Sequence, residues 1–167
     1  DGKDIRTNTE WLLQALDTLL TNQIAVINIS LGGPQNDLLH HAVRTILGRQ
    51  VIMVAAVGDS GKASAPLYPA GYSGVIAVTA IDSNKRAYSK ASHGEHVDFA
   101  APGVAVWSAR AKGGGDQFTG SSYATPFVTA AVAILRSRYP EEAADRIVQR
   151  LADGVIDLGK PGRDSVY

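Results

Sequence analysis

The chain of 167 residues has no cysteine. Disulfides, thiolate metal sites and a cysteine nucleophile are therefore excluded, while the compartment is left open. It also has no net charge, because 16 Lys and Arg offset 16 Asp and Glu. Nothing in that balance calls for nucleic acid or an anionic membrane as a partner. No apolar run is long enough to span a bilayer. No secretory leader stands at Asp1, and "DGKDIRTN" reads as the opening of a fragment, so the native N-terminus is expected upstream. Internal repeats, low-complexity tracts and any sign of a second domain are missing as well. What remains is an ordinary globular composition, 45% hydrophobic and 19% charged, in a chain long enough for one sizeable core.

The apolar residues fall into two periods. Trp11, Leu12, Ala15, Leu16, Leu19 and Leu20 recur at helical spacing. Thr7 with Glu10 three residues later makes a capping-box pattern, so a helix is expected over about residues 8–21. Leu38, Leu39, Ala42, Val43, Ile46 and Leu47 mark a second helix ending at Gly48. Three β-branched runs, "IAVINIS" (24–30), "VIMVAAV" (51–57) and "VIAVTAI" (75–81), read as buried strands. Shorter strands are expected at 97–100 and 104–109, with a turn at Gly113–Asp116. A long helix is expected over 121–138, and a last one from Pro140 to Gly154, followed by a peripheral tail. Continuous apolar strands alternating with helices imply a mostly parallel sheet covered on both faces, a three-layer α/β/α fold. In such sheets sites form beyond the carboxyl ends of the strands. That points to residues 31–36, to 58–74 and to the turn into the 121–138 helix.

That turn reads "GSSYATPFVTAAVAIL" (120–135). A serine at a helix start has a plain explanation as an N-cap or as a small filler where backbones approach closely. It also has a chemical one. Free N–H groups at the helix N-terminus suit a developing oxyanion, so a serine there is well placed as a nucleophile.

The surrounding residues carry a resemblance. Gly120-Ser121-Ser122-Tyr123-Ala124-Thr125-Pro126 resembles the Gly-Thr-Ser-x-Ala-x-Pro motif of the subtilisin-like serine proteases. "VINISLGGP" (26–34), "VIMVAAVGDSG" (51–61), "YPAGYSGVIAVTAID" (68–82) and "YSKASHGEHVDFAAPG" (88–103) resemble further blocks of that family, in its order, best between residues 11 and 139. The resemblance implies a single partial catalytic domain over 1–167, with 140–167 as a terminal helix and tail and the family's early strands absent. It implies serine endopeptidase chemistry on a polypeptide substrate held in extended form, with Ser122 as the acyl-forming nucleophile. Ser30, Leu31 and Gly32 match the edge that pairs with substrate. Ala56, Val57 and Gly58 match the opposite wall of the pocket for the residue before the scissile bond. Leu67 stands where relatives often have glycine at that pocket's base, which implies a short pocket and a small side chain.

The resemblance also shows departures. The family's catalytic aspartate and histidine belong to blocks upstream of Trp11, so the upstream part of the same catalytic domain is an expected partner and this chain alone is expected to be nearly inactive. His40, His41, His93 and His96 do not stand in the motif of the catalytic histidine. Asp59 replaces the asparagine whose amide donates to the oxyanion. Either the complete enzyme works best in acid or holds Asp59 neutral by burial, or the protein is a non-catalytic, peptide-binding relative. The carbonyls of Ala70, Tyr72 and Val75 match a structural calcium site of some relatives, although a plain tight loop accounts for the same residues. Asp98 is expected to cap or pair within its own "VDFAAPG" segment. A sheet without its early strands exposes an edge, so a homodimer through that edge is expected. Family resemblance places the protein outside the cytoplasm, secreted or periplasmic. A nucleotide-binding fold is disfavoured, because Gly113-Gly114-Gly115 does not sit between a strand and a helix.

Overall fold

The computed structural model describes residues 8–61 and 65–167. Each β-branched run becomes one strand of a parallel sheet: β1 (Val26–Ile29), β2 (Ile52–Ala56), β3 (Ile76–Ile81) and β4 (Phe99–Pro102), in the order β1-β2-β3-β4. Register is fixed by pairs such as Ile27 with Met53, Ala55 with Ala77 and Thr79 with Ala100. Parallel pairing requires a long crossover between strands. The first crossover is helical, and the third, residues 82–98, is a loop.

Alternation along the strands sorts side chains into two cores. Met53, Ala55 and Ala77 face α1 (Thr9–Thr21) and α2 (Asp37–Gly48), where Leu16, Leu39, Val43 and Ile46 meet them. Ile52, Val54, Ile76, Val78 and Ala80 face α3 (Ser121–Arg138) and α4 (Ala144–Asp153), packing on Ala124, Val128, Val132 and Ile147. This is the three-layer α/β/α arrangement the sequence predicts. Outside the parallel sheet, β5 (Val106–Ala109) pairs antiparallel with β6 (Gly115–Phe118).

Several boundaries differ from expectation. Asn8 caps α1 by accepting from the Trp11 N–H at 2.8 Å; Thr7 of the expected capping box lies outside the described residues. Trp11 is 61% exposed, so the buried stripe of α1 runs without it. The Gly113–Asp116 turn opens a strand, β6, that its polar "GDQF" sequence does not announce. The last helix starts at Ala144 rather than Pro140. Residues 140–143 form a turn instead, because Arg150 grips the Glu142 carboxylate (2.6 and 2.7 Å) and Gln50 Oε1 takes the Ala144 N–H (2.9 Å).

Candidate active site

The ends of β1 and β2 and the start of α3 converge at one point. Ser121 and Ser122 both open α3, yet their environments differ. Ser121 is fully buried. Its hydroxyl oxygen accepts from the Gly58 N–H (3.1 Å), and its carbonyl accepts from Thr125 Oγ1 (2.8 Å). It ties the exit of β2 to the helix and has no free face. Ser122 is half-buried. Its hydroxyl donates to the Ser30 carbonyl (3.2 Å), while Ser30 Oγ donates back to the Ser122 carbonyl (3.0 Å). Asn28 Nδ2 donates to Ser30 Oγ (3.0 Å), and Thr129 Oγ1 donates to Asn28 Oδ1 (2.9 Å). Ser122 is thus the serine presented at the edge of the sheet, beside a short polar chain.

Asp59 stands over the same helix end. Both its carboxylate oxygens accept from the Ser121 N–H, at 3.0 and 3.2 Å. Negative charge at a helix N-terminus is favourable. Asp59 is exposed in this chain. Gly120 explains the close approach: a Cβ there would lie 2.7 Å from Asp59 Oδ2. A second close approach supports the turn from below. Gly120 N–H donates to the Gly103 carbonyl (2.8 Å), and a Cβ on Gly103 would lie 2.8 Å from the Gly120 carbonyl oxygen and 2.6 Å from the Ala80 Cβ. Tyr123 stacks on Phe118 with centroids 5.2 Å apart, joining the helix start to β6.

The residues matched to substrate binding lie around this point. Leu31 is 40% exposed. Neither Leu31 nor Gly32 makes a backbone hydrogen bond among the described residues, and the first bonded position is Gly33, which bridges to Tyr68 (3.0 and 2.9 Å). An extended peptide could pair with that bare edge. Ala56 and Val57 are buried in the sheet, leaving Gly58 as the member of that trio at the surface. Leu67 fills the gap between the two walls. A Cβ on Gly58 would meet Leu67 Cδ1 at 2.5 Å, and one on Gly32 would meet Leu67 Cβ at 3.0 Å.

Other candidates go elsewhere. His40 stacks on Tyr72, with centroids 4.5 Å apart. Burial holds the His96 imidazole below its ordinary pKa, with Asp98 only partly opposing. Among the described residues no histidine or carboxylate bonds the Ser122 hydroxyl. Asp98 does not pair within its own segment: it accepts from the Ala77 N–H (2.8 Å) and pairs with Arg163 of the tail (2.7 Å). Burial raises its pKa, against the pull of the Ala77 N–H and Arg163. The Tyr72 carbonyl matched to calcium already accepts from the Val75 N–H (3.2 Å). Among the described residues no group of three acidic or histidine side chains could hold a metal. The sequence pattern gave no sign of the Asn28–Ser30 link or of the buried role of Ser121, because both depend on partners far along the chain.

The chain as a whole is similar to known proteins. The profile of the Subtilase family (Peptidase_S8) matches residues 2–166, including the terminal helix and tail. Subtilisin DY of Bacillus licheniformis is 37% identical over 167 residues, covering 98% of this chain and 57% of that protein. Minor extracellular protease Epr of Bacillus subtilis (strain 168) is 34% identical over 157 residues, covering 93% of this chain and 24% of that protein. Among solved structures, a mutant of the protease domain of PatA superposes with a TM-score of 0.83 at 26% identity, over 93% of this chain and 60% of the other. The prenylagaramide maturation protease PagA gives a TM-score of 0.84 at 23% identity, over 94% and 61%, and shows the shared fold. The chain spans less than three fifths of the length of these two curated relatives. With its profile matched nearly end to end, the chain belongs to the Subtilase family.

Proposed function

We propose that the protein carrying this chain is a serine endopeptidase, with Ser122 attacking the scissile carbonyl of a polypeptide. The observation that carries this reading is the division of labour between the two serines. Ser121 is buried and spent on Gly58, whereas Ser122 faces the bare Leu31–Gly32 edge from a helix N-terminus. The extended substrate pairs along Ser30–Gly32. The oxygen of the tetrahedral intermediate turns toward the Ser122 N–H, one of the free donors of the first helical turn. The proton of the Ser122 hydroxyl needs a base, and a serine without one is a weak nucleophile near neutral pH. In this reading the base and its orienting acid come from upstream residues of the same catalytic domain, and residues 1–167 are one part of that domain. Like the extracellular relative Epr, the whole protein acts outside the cytoplasm.

The test is fluorophosphonate labelling followed by peptide mapping. In the complete gene product, label appears on Ser122 within minutes and is lost in Ser122→Ala. In the 167-residue chain the same labelling is slower by orders of magnitude, since losing one triad member removes most of the roughly 10⁶-fold gain in kcat. Label on another residue, or equal rates in both proteins, would overturn the assignment.

A second reading is supported by Asp59. Its carboxylate offers no N–H where the family's asparagine donates, which suits a domain that holds extended peptides without cleaving them. In that case the complete protein binds peptide at Ser30–Gly32 and leaves the phosphonate unreacted.

A further inference from the structure

At the end of the sheet opposite Ser122 lies a cavity of about 780 Å³. Its floor is the amino-terminal ends of three strands, at Ile52, Ile76 and Phe99, and α4 contributes Val148. The segment after α4 lines its open side with Val155 and Ile156, which are 51% and 69% exposed. That segment is fastened to the body: Ser165 accepts from the Gly94 N–H (2.9 Å), and Arg163 pairs with Asp98 (2.7 Å) and donates to the Glu95 carbonyl (2.9 Å). The volume falls in the range of small-molecule sites, which are concave, largely apolar and carry a few polar groups.

The charges around it are unequal. Asp98, Asp145, Asp157 and Arg163 line the cavity. Arg163 is spent on Asp98. Asp145 and Asp157 are exposed at the rim, each accepting a backbone N–H at 2.8 Å, from Arg146 and from Gly162. Among the described residues neither has a cationic partner. We propose that this cavity binds a small organic cation, an ammonium or guanidinium group on an aromatic or branched aliphatic body. The body displaces water from the aliphatic walls, and the cation is held by the Asp145 and Asp157 carboxylates. A carboxylate on the same body meets these acids with like charge. The site is separate from Ser122 and does not depend on the protease reading.

Isothermal titration of the complete gene product with 2-naphthylmethylammonium and with 2-naphthoate, at neutral pH and low salt, tests it. The cation is expected to bind saturably below about 1 mM, and the anion about tenfold more weakly or not at all. Asp145→Asn with Asp157→Asn lowers affinity for the cation by about tenfold without weakening the anion. Ala152→Trp, which fills the cavity, abolishes binding of both. Equal affinity for the two probes, no saturable binding, or a cation affinity unchanged in the double asparagine variant would overturn the proposal. Because both acids lie at the exposed rim, the double variant decides the matter even if Ala152→Trp fails to fold.

Discussion

Both oxygens of Asp59 point at one N–H, that of Ser121. Asparagine at this position keeps one acceptor for that N–H and adds a donor that the carboxylate lacks. One oxyanion donor is worth roughly 2.7–4 kcal/mol, or 10²–10³ in rate. If the complete protein is a protease limited here, Asp59→Asn raises kcat on a peptide anilide near neutral pH by about tenfold or more. Asp59→Ala loses the cap instead, and destabilises the chain by about 0.5–2 kcal/mol in thermal melts. An unchanged kcat in Asp59→Asn would shift support to the peptide-binding reading. Leu67 poses the parallel question for specificity. Its side chain lies against both Gly32 and Gly58, so if these glycines wall the pocket for the residue before the scissile bond, Leu67 shortens it and favours a small side chain. Leu67→Gly removes that plug. The ratio of cleavage after phenylalanine to cleavage after alanine is expected to rise by about tenfold or more, since each methylene a pocket accepts is worth about 1–3 kcal/mol. A ratio that does not move would show that Leu67 lies outside the pocket.

The turn into α3 is set at the level of elements by β4. Gly103 follows β4 directly, and its carbonyl takes the Gly120 N–H while its missing Cβ lets the turn close against Ala80 and Ala124. Gly103→Ala puts a methyl 2.8 Å from a backbone oxygen, an overlap that no rotamer change relieves. The expected cost is about 1–3 kcal/mol, or a fall in Tm of several degrees, at about 2–4 °C per kcal/mol for a chain of this size. Differential scanning calorimetry measures it, and an unchanged Tm would show that β4 and α3 move apart freely. The Gly103 contact also shows which parts of the fold are legible in sequence. β2 and β3 are, because a strand buried on both faces must be apolar at nearly every position, as "VIMVAAV" is, whereas β1 is an edge strand that exposes Asn28 and is legible only from its apolar flanks. The start of α4 is not, because it is set by side-chain contacts, from Gln50 far along the chain and from Arg150 two turns into the helix. Asp98 is misread for the same reason, its partners Ala77 and Arg163 lying on other elements. Composition marks Ser122 and Ser121 equally as small polar residues at a helix start; the motif resemblance singles out Ser122, and the packing of β2 against α3 shows the physical difference, with Ser121 buried and bonded to Gly58.

On the scale of the whole molecule, one surface is unfinished. β1 ends the parallel sheet with nothing paired on its outer side among the described residues. Beside it α3 presents Phe127 and Ile134, 49% and 69% exposed and two helical turns apart on one face, with Leu31 nearby in sequence to the β1 end. Unpaired edges and adjoining apolar surface recruit other chains. The 167-residue chain is therefore expected to scatter light as a dimer or larger species, and Phe127→Lys with Ile134→Lys to lower that mass. Ser122 opens beside the same edge, its hydroxyl held by the first residue after β1. A base for Ser122 must come in past that edge. If the upstream part of the catalytic domain supplies it, adding that polypeptide in trans has two effects that rise together: the chain becomes a single heterodimer, and phosphonate labelling of Ser122 accelerates. The double lysine variant weakens both to the same degree, because one surface serves both. A wild-type chain that is monomeric alone, or labelling that accelerates without complex formation, would separate the edge from the chemistry and overturn the link.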